Sequence, residues 1–319
     1  MMNHRRTTTF GRLALAIVLS SGTLLGAARA QTPAQEHFPD PEKAVAALAA
    51  AAKSRDTAAL ARILGPRAGE LVSGDAVRDE YDLKTFSEMV AENVQIDRKT
   101  DVRAQVLIGK VGWPFAIPVV SEAGGWRFDT EAGMQELLDR RVGENERTAI
   151  LLCRAYALAQ SDYFAKGDWD HDGVAEYAQR LRSTAGRQDG LYWPTVKDEP
   201  ASPLAGLVTA AEAEGYSSAG RSDDGRTSAP FLGYRYKLLT RQGPSAAGGA
   251  YAYVVNGNMI GGYALVAYPI TWGNSGVMTF IVNQQGRVYQ KDLGAGTAET
   301  AGRLETYDPD PSWSVVSDE

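Results

Sequence analysis

The sequence predicts an α+β protein of two modules, on three observations. Three aspartate-led stretches with helical spacing fill residues 41–92, and a period-two pattern follows over 94–128. After one further long helical stretch, period-two runs return from Phe231 onward, so helices and strands are segregated rather than alternating, as in an α+β chain.

Asp40-Pro41-Glu42 puts an N-cap acid before a proline at the first helical position, so a helix starts there and the alanine-rich run Ala44 to Ala52 carries it to Lys53. Asp56 begins a second short helix, stopped by Leu64-Gly65-Pro66. Asp75 caps a third, which holds Tyr81, Phe86, Met89 and Val90. Val102, Ala104, Val106 and Ile108 then alternate, followed by the run Phe115 to Val120, the turn Ala123-Gly124-Gly125, and Trp126-Arg127-Phe128. This is an antiparallel meander. Glu131 to Lys166 reads as a long helical stretch with a break expected near Gly143. An acidic loop, a short helix from Val174 to about Leu181, and a loop-rich region from Ser183 to Ser228 are expected next. Strands follow at Tyr234–Leu239, Ala250–Val255, Tyr263–Tyr268, Val277–Val282 and Val288–Lys291, the last two joined by a hairpin turn at Asn283-Gln284-Gln285-Gly286. The expected division is a leader over 1–30, a tether over 31–40, one domain over 41–135 and a second over 136–319.

The leader rests on Arg5, Arg6 and Arg12, the apolar stretch Leu13 to Leu25, and Ala28-Arg29-Ala30, which is the charged, apolar, small-residue order of a secretory signal peptide cut after Ala30. That places the mature protein in the periplasm or outside the cell, without membrane insertion. Residues 1–30 carry four arginines and no acids, so their removal leaves 29 basic against 39 acidic residues and a net charge of −10. Such a balance argues against nucleic acid as a partner. The single cysteine, Cys153, sits among apolar residues at helical spacing and reads as core.

The most specific motif is "GDWDHDGVAEY", Gly167 to Tyr177. A hard cation such as Ca²⁺ takes six to eight oxygens, and carboxylates on alternate residues with glycine at the sixth place let one loop curl around it. Asp168, Asp170, Asp172 and Gly173 occupy the first, third, fifth and sixth places, Val174 offers a carbonyl at the seventh, and Glu176 stands at the ninth. Gln179 replaces the bidentate glutamate of the twelfth place, which weakens the site. The competing reading is a polar turn in which Asp168 and Asp172 cap helix ends.

Catalytic motifs are sparse. The mature chain holds two histidines, His37 and His171, which leaves a Ser-His-Asp or Cys-His arrangement little to work with. Tyr192, Trp193 and Trp272 are candidates to stack on a ligand ring, against the reading of "DGLYWP" as a loop pinned by burying Tyr192 and Trp193. In "RRVGENE", Arg140, Arg141, Glu144 and Glu146 either form a charged pocket or mark a helix boundary in which Glu144 or Asn145 starts a new helix after Gly143.

Over about 41–135 the helix-then-meander order closing on "GWRFDT" resembles the cone-like helix-plus-antiparallel-sheet fold of the nuclear-transport-factor-two-like superfamily. The long helix followed by the late sheet carrying "GYRYKLL" and "GGYALVAYP" resembles a type IV pilin or pseudopilin head, without the hydrophobic N-terminal helix that pilins assemble through. Across most of the mature chain, "GWRFDTEAGMQELLDRRVGENE", "DHDGVAEYAQ", "DGLYWP", "GYRYKLLTRQG" and "SGVMTFIVNQQGRVYQKDLG" are similar to the bacterial domain-of-unknown-function 2950 family, which implies an exported bacterial protein of unknown role. The expected function is a non-enzymatic binding or scaffold module for a cell-envelope protein or glycan, with a structural calcium-type loop. The second expectation is a carboxylate-based hydrolase acting on envelope glycans.

Overall fold

The computed structural model describes residues 34–169, 173–197, 200–213, 215–216 and 226–317; the expected leader lies outside them. The chain divides into two compact units, Met1–Glu144 and Asn145–Glu319, each with a hydrophobic cluster of its own. The α+β class is observed: helices and antiparallel sheets occur in both.

The first unit opens with helices α1 (Pro41–Ser54), α2 (Thr57–Leu64) and α3 (Ala76–Glu92). Each starts where an aspartate accepts a backbone N–H three residues on, Asp40 from Lys43, Asp56 from Ala59 and Asp75 from Arg78. Strands β1 (Val94–Thr100), β2 (Arg103–Ile108), β3 (Trp113–Pro114), β4 (Val119–Glu122) and β5 (Gly125–Phe128) form one sheet in the order β1-β2-β4-β5, with β3 on β2. Ala104, Val106 and Ile108 point inward as their spacing predicts, whereas Val102 is exposed because it lies in the turn between β1 and β2. The core is aromatic: Phe115 lies 5.3 Å from Phe86 and 6.4 Å from Phe128 between ring centroids. The stretch read as a tether is docked from Gln35 onward. Gln35 Nε2 donates to the Ile63 and Phe128 carbonyls, and Phe38 forms a bridge with Trp126.

Helix α4 spans Thr130–Lys166 without the break expected near Gly143, and the unit boundary falls inside it. An interior glycine costs a helix about 1 kcal/mol. Here the flanking residues are held by buried bonds, Arg141 to the Leu71 carbonyl and Asn145 Nδ2 to the Ser275 carbonyl at 2.9 Å, which offsets that cost. Glu144 and Asn145 are therefore mid-helix residues, not the start of a new one. At Gly133 a Cβ would stand 2.7 Å from the Ile117 Cα and 2.9 Å from the Ala116 carbonyl oxygen, backbone that cannot yield. Gly133→Ala is expected to cost roughly 1–3 kcal/mol in urea unfolding; an unchanged midpoint would show that the helix does not press on this segment.

In the second unit, α5 (Ala205–Ala213) appears inside the region read as loop, where the run "AGLVTAAEA" favours helix. The strands are β6 (Tyr234–Leu239), β7 (Arg241–Gln242), β8 (Tyr251–Ala252), β9 (Val254–Val255), β10 (Asn258–Met259), β11 (Ala264–Pro269), β12 (Met278–Asn283) and β13 (Tyr289–Asp292). Helix α6 (Thr297–Gly302), β14 (Thr306–Tyr307) and β15 (Ser314–Val315) complete it. The main sheet is antiparallel in the order β15-β13-β12-β11-β6, with Val266 opposite both Lys237 and Ile281. All six residues of β11 are buried, as a central strand covered on both faces requires. Tyr156 of α4 reaches it through a hydroxyl donated to the Ala264 carbonyl at 3.2 Å, and Lys237 bonds the Gly302 carbonyl at the end of α6. Asn256 and Gly257, both at positive φ, make the two-residue turn between β9 and β10. Cys153 is fully buried, and burial pushes its thiol up to about 12, which makes it inert core. Among the described residues no helix is long and apolar enough to cross a membrane.

Candidate functional site: the acidic loop and its aromatic floor

The acidic loop leaves the end of α4. Tyr163 lies on the buried side of that last turn, and Trp169 stacks on it at 5.6 Å with the planes 28° apart, its Nε1 donating to the Tyr163 carbonyl at 2.9 Å. The Trp193 ring stands 5.0 Å from Trp169, and its Nε1 donates to the Pro200 carbonyl at 3.1 Å. Tyr163 donates its hydroxyl to the Gln188 carbonyl, so three aromatic rings and two loops form one floor.

Asp168 Oδ2 accepts the backbone N–H of Gly173 at 2.8 Å, which joins the first loop position to the sixth. Gly167 and Gly173 have φ of +102° and +91°, values that an L side chain rarely adopts, so both glycines are required by the turn. Asp170, His171 and Asp172 lie outside the described residues. Among the described residues no group of three or more His, Cys, Asp or Glu converges as a metal cluster.

The short helix expected from Val174 to Leu181 does not form. Its backbone groups are bonded elsewhere: Tyr177 N–H donates to the Met259 carbonyl, and Gln160, fully buried on α4, clamps Ala178 by accepting its N–H and donating to its carbonyl, both at 2.8 Å. Glu176 is 9% exposed and points into the unit, where Oε2 accepts the Met259 N–H at 2.6 Å and Gln179 Nε2 at 3.0 Å. The ninth loop position is thus tied to β10. Nothing in the sequence marks Gln160 as the residue that makes this clamp.

Of the three aromatics singled out as ring-stacking candidates, Trp193 belongs to the buried floor. Tyr192 is half-buried beneath the Arg182 guanidinium, 5.5 Å from its ring centroid. Trp272 lies between β11 and β12, 39% exposed, and donates Nε1 to Asp292 Oδ1 at 2.7 Å.

A second cluster, in the first unit, has no single sequence motif. Arg78 of α3 places Nε 2.9 Å from Asp82 Oδ1 and Nη2 3.0 Å from Glu144 Oε2, while Arg141 stands beside Asp79 and Asp82. Ser73 donates both its N–H and its hydroxyl to Asp79 Oδ1. Asp82 is 1% exposed, and neither of its oxygens accepts a well-directed hydrogen bond from the described residues. Burial pushes its carboxyl up to about 7 against the pull of Arg78, and burial likewise raises Asp79 and lowers Arg141. Of "RRVGENE", only Arg141 and Glu144 join this cluster; Arg140 pairs with Glu136, and Glu146 Oε1 accepts the Val277 and Met278 N–H groups.

These features define an α+β protein of two compact units whose polar sites are tied closely into its backbone. The family model described as "Protein of unknown function (DUF2950)" matches residues 35–316, and the chain belongs to that family. No curated protein and no solved structure matches it.

Proposed function

We propose that the protein is an exported binding or scaffold module of the cell envelope, acting in the periplasm or outside the cell, whose acidic loop takes a calcium ion as a structural staple. The observation that carries this reading is the closure of Asp168 on Gly173, with Glu176 held at the ninth position by β10. An ion held by Asp168, Asp170, Asp172, the Val174 carbonyl and Glu176 would tie the end of α4 to the second unit's sheet through oxygens from one short segment. The charged, apolar, small-residue order of residues 1–30 supports export, where millimolar calcium suits a site lacking the twelfth ligand. Recognition is favoured over turnover by the scarcity of catalytic groups in the sequence, and His37 is exposed with Nδ1 against the Gln35 carbonyl.

Calcium at 10 mM against a chelator is the test. With a dissociation constant of roughly 10⁻⁴ to 10⁻³ M, binding adds about 1–3 kcal/mol, a rise of several degrees in Tm. Asp170→Ala is expected to abolish the rise. A Tm indifferent to calcium in the unsubstituted protein removes the staple, and release of reducing ends from peptidoglycan, lost in an acid-to-amide variant, would replace the binding reading with a glycan hydrolase.

A further inference from the structure

Helix α4 carries apolar residues on two faces. One is the core face with Ala149, Cys153, Tyr156 and Tyr163. On the opposite side Leu151 and Leu158, two turns apart, are 61% and 72% exposed, far more than large apolar side chains on a core-facing helix need to be. Around them the stripe takes in exposed Arg147 and Asp162 at its ends and half-buried Arg154 and Ala155 between the leucines.

This stripe is complementary to itself when reversed. A two-fold axis between residues 154 and 155 sets Leu151 opposite the partner's Leu158, Ala155 opposite the partner's Arg154, and Arg147 opposite the partner's Asp162. An isologous contact demands that kind of mapping, in which each residue meets one member of the same patch. Apolar residues seven apart form a helix-pairing seam, and the small Ala155 at the axis lets the two backbones approach. The opposite charges at either end fix the antiparallel direction. Asp162 already holds Lys166 at 2.8 Å, so each end would carry two cations around one carboxylate.

We infer that the exposed face of α4 from Arg147 to Asp162 is a homodimer interface in which two copies of the chain pair their helices antiparallel. It goes beyond the proposed calcium role and stands whether or not the loop binds an ion. Four helical turns bury less than a standard interface, so the dissociation constant is expected at roughly 1–100 μM.

Sedimentation equilibrium of the purified protein between 1 and 500 μM is the experiment. A reversible dimer is expected, with Leu158→Lys and Leu151→Lys each raising the dissociation constant at least tenfold at unchanged Tm, since both side chains are exposed. Arg147→Asp weakens the dimer, and Arg147→Asp combined with Asp162→Arg restores it. Ala155→Cys gives a disulfide-linked dimer on mild oxidation, with buried Cys153 silent. A monomer at 500 μM, a dimer indifferent to the leucine substitutions, or a charge swap that fails to restore pairing would each overturn the interface.

Discussion

Arg78→Met is expected to lower the unfolding free energy by roughly 3–5 kcal/mol at pH 8, because it strips the facing cation from buried carboxylates. Arg78 contacts both Asp82 and Glu144, and its own charge is favoured by them despite burial. With it gone, two guanidiniums facing three carboxyls become one, and Arg141 alone remains beside Asp79 and Asp82. The loss is expected to grow with pH, since Asp82 can shed its charge by taking a proton when the solution supplies one. Combining Arg78→Met with Asp82→Leu should recover part of the stability, as apolar replacement of a buried pair does. A loss that is the same at pH 5 and pH 8 would mean that Asp82 does not change protonation in the fold.

The unsubstituted protein carries the same dependence in milder form. Asp82 titrates near 3.8 when unfolded and at about 7 when folded, so the unfolded chain releases this proton first. Its contribution is fully present below about pH 4 and is lost as pH rises through 7, opposite in sign to an acid lowered by its partners. The groups facing it are Arg78 on its own helix and Arg141 and Glu144 on α4. Asp82→Asn is expected to flatten the decline of urea midpoint between pH 5 and 8.

How much of this was legible follows from the range of the interactions involved. The helix starts at Pro41, Thr57 and Ala76 were readable because a cap is an aspartate bonding three residues along, and the strand alternation at Ala104, Val106 and Ile108 is equally local. The continuity of α4 through Gly143 was not, because it depends on Arg141 and Asn145 finding carbonyls 70 and 130 residues away in sequence. Helical pattern at Val174–Leu181 likewise misled, since Gln160 and Met259 outbid the local backbone for its hydrogen bonds. Acids spaced along one loop can be seen in a sequence; Arg78, Asp82 and Glu144, gathered from α3 and α4, cannot.

Trp193→Ala is expected to cost roughly 3–5 kcal/mol, the scale for emptying a buried indole site. Trp193 is 4% exposed, anchored to the Pro200 carbonyl and packed against Trp169. Trp169 directly follows Asp168 at the first position of the acidic loop, and its bond to the Tyr163 carbonyl anchors the loop's start to the end of α4. If the loop takes calcium as proposed, removing the floor should weaken that binding tenfold or more, although no proposed ligand is lost. Trp272→Ala is the control: the residue is partly exposed, and losing its bond to Asp292 is worth about 1 kcal/mol, with no change in calcium response. Urea unfolding gives the stability term, and calorimetric titration of the folded variant gives the binding term. Should Trp193→Ala lose stability while its calcium isotherm overlays that of the unsubstituted protein, the floor would be only a core element, and the loop's geometry would be set by Asp168, Gly173 and Glu176 alone.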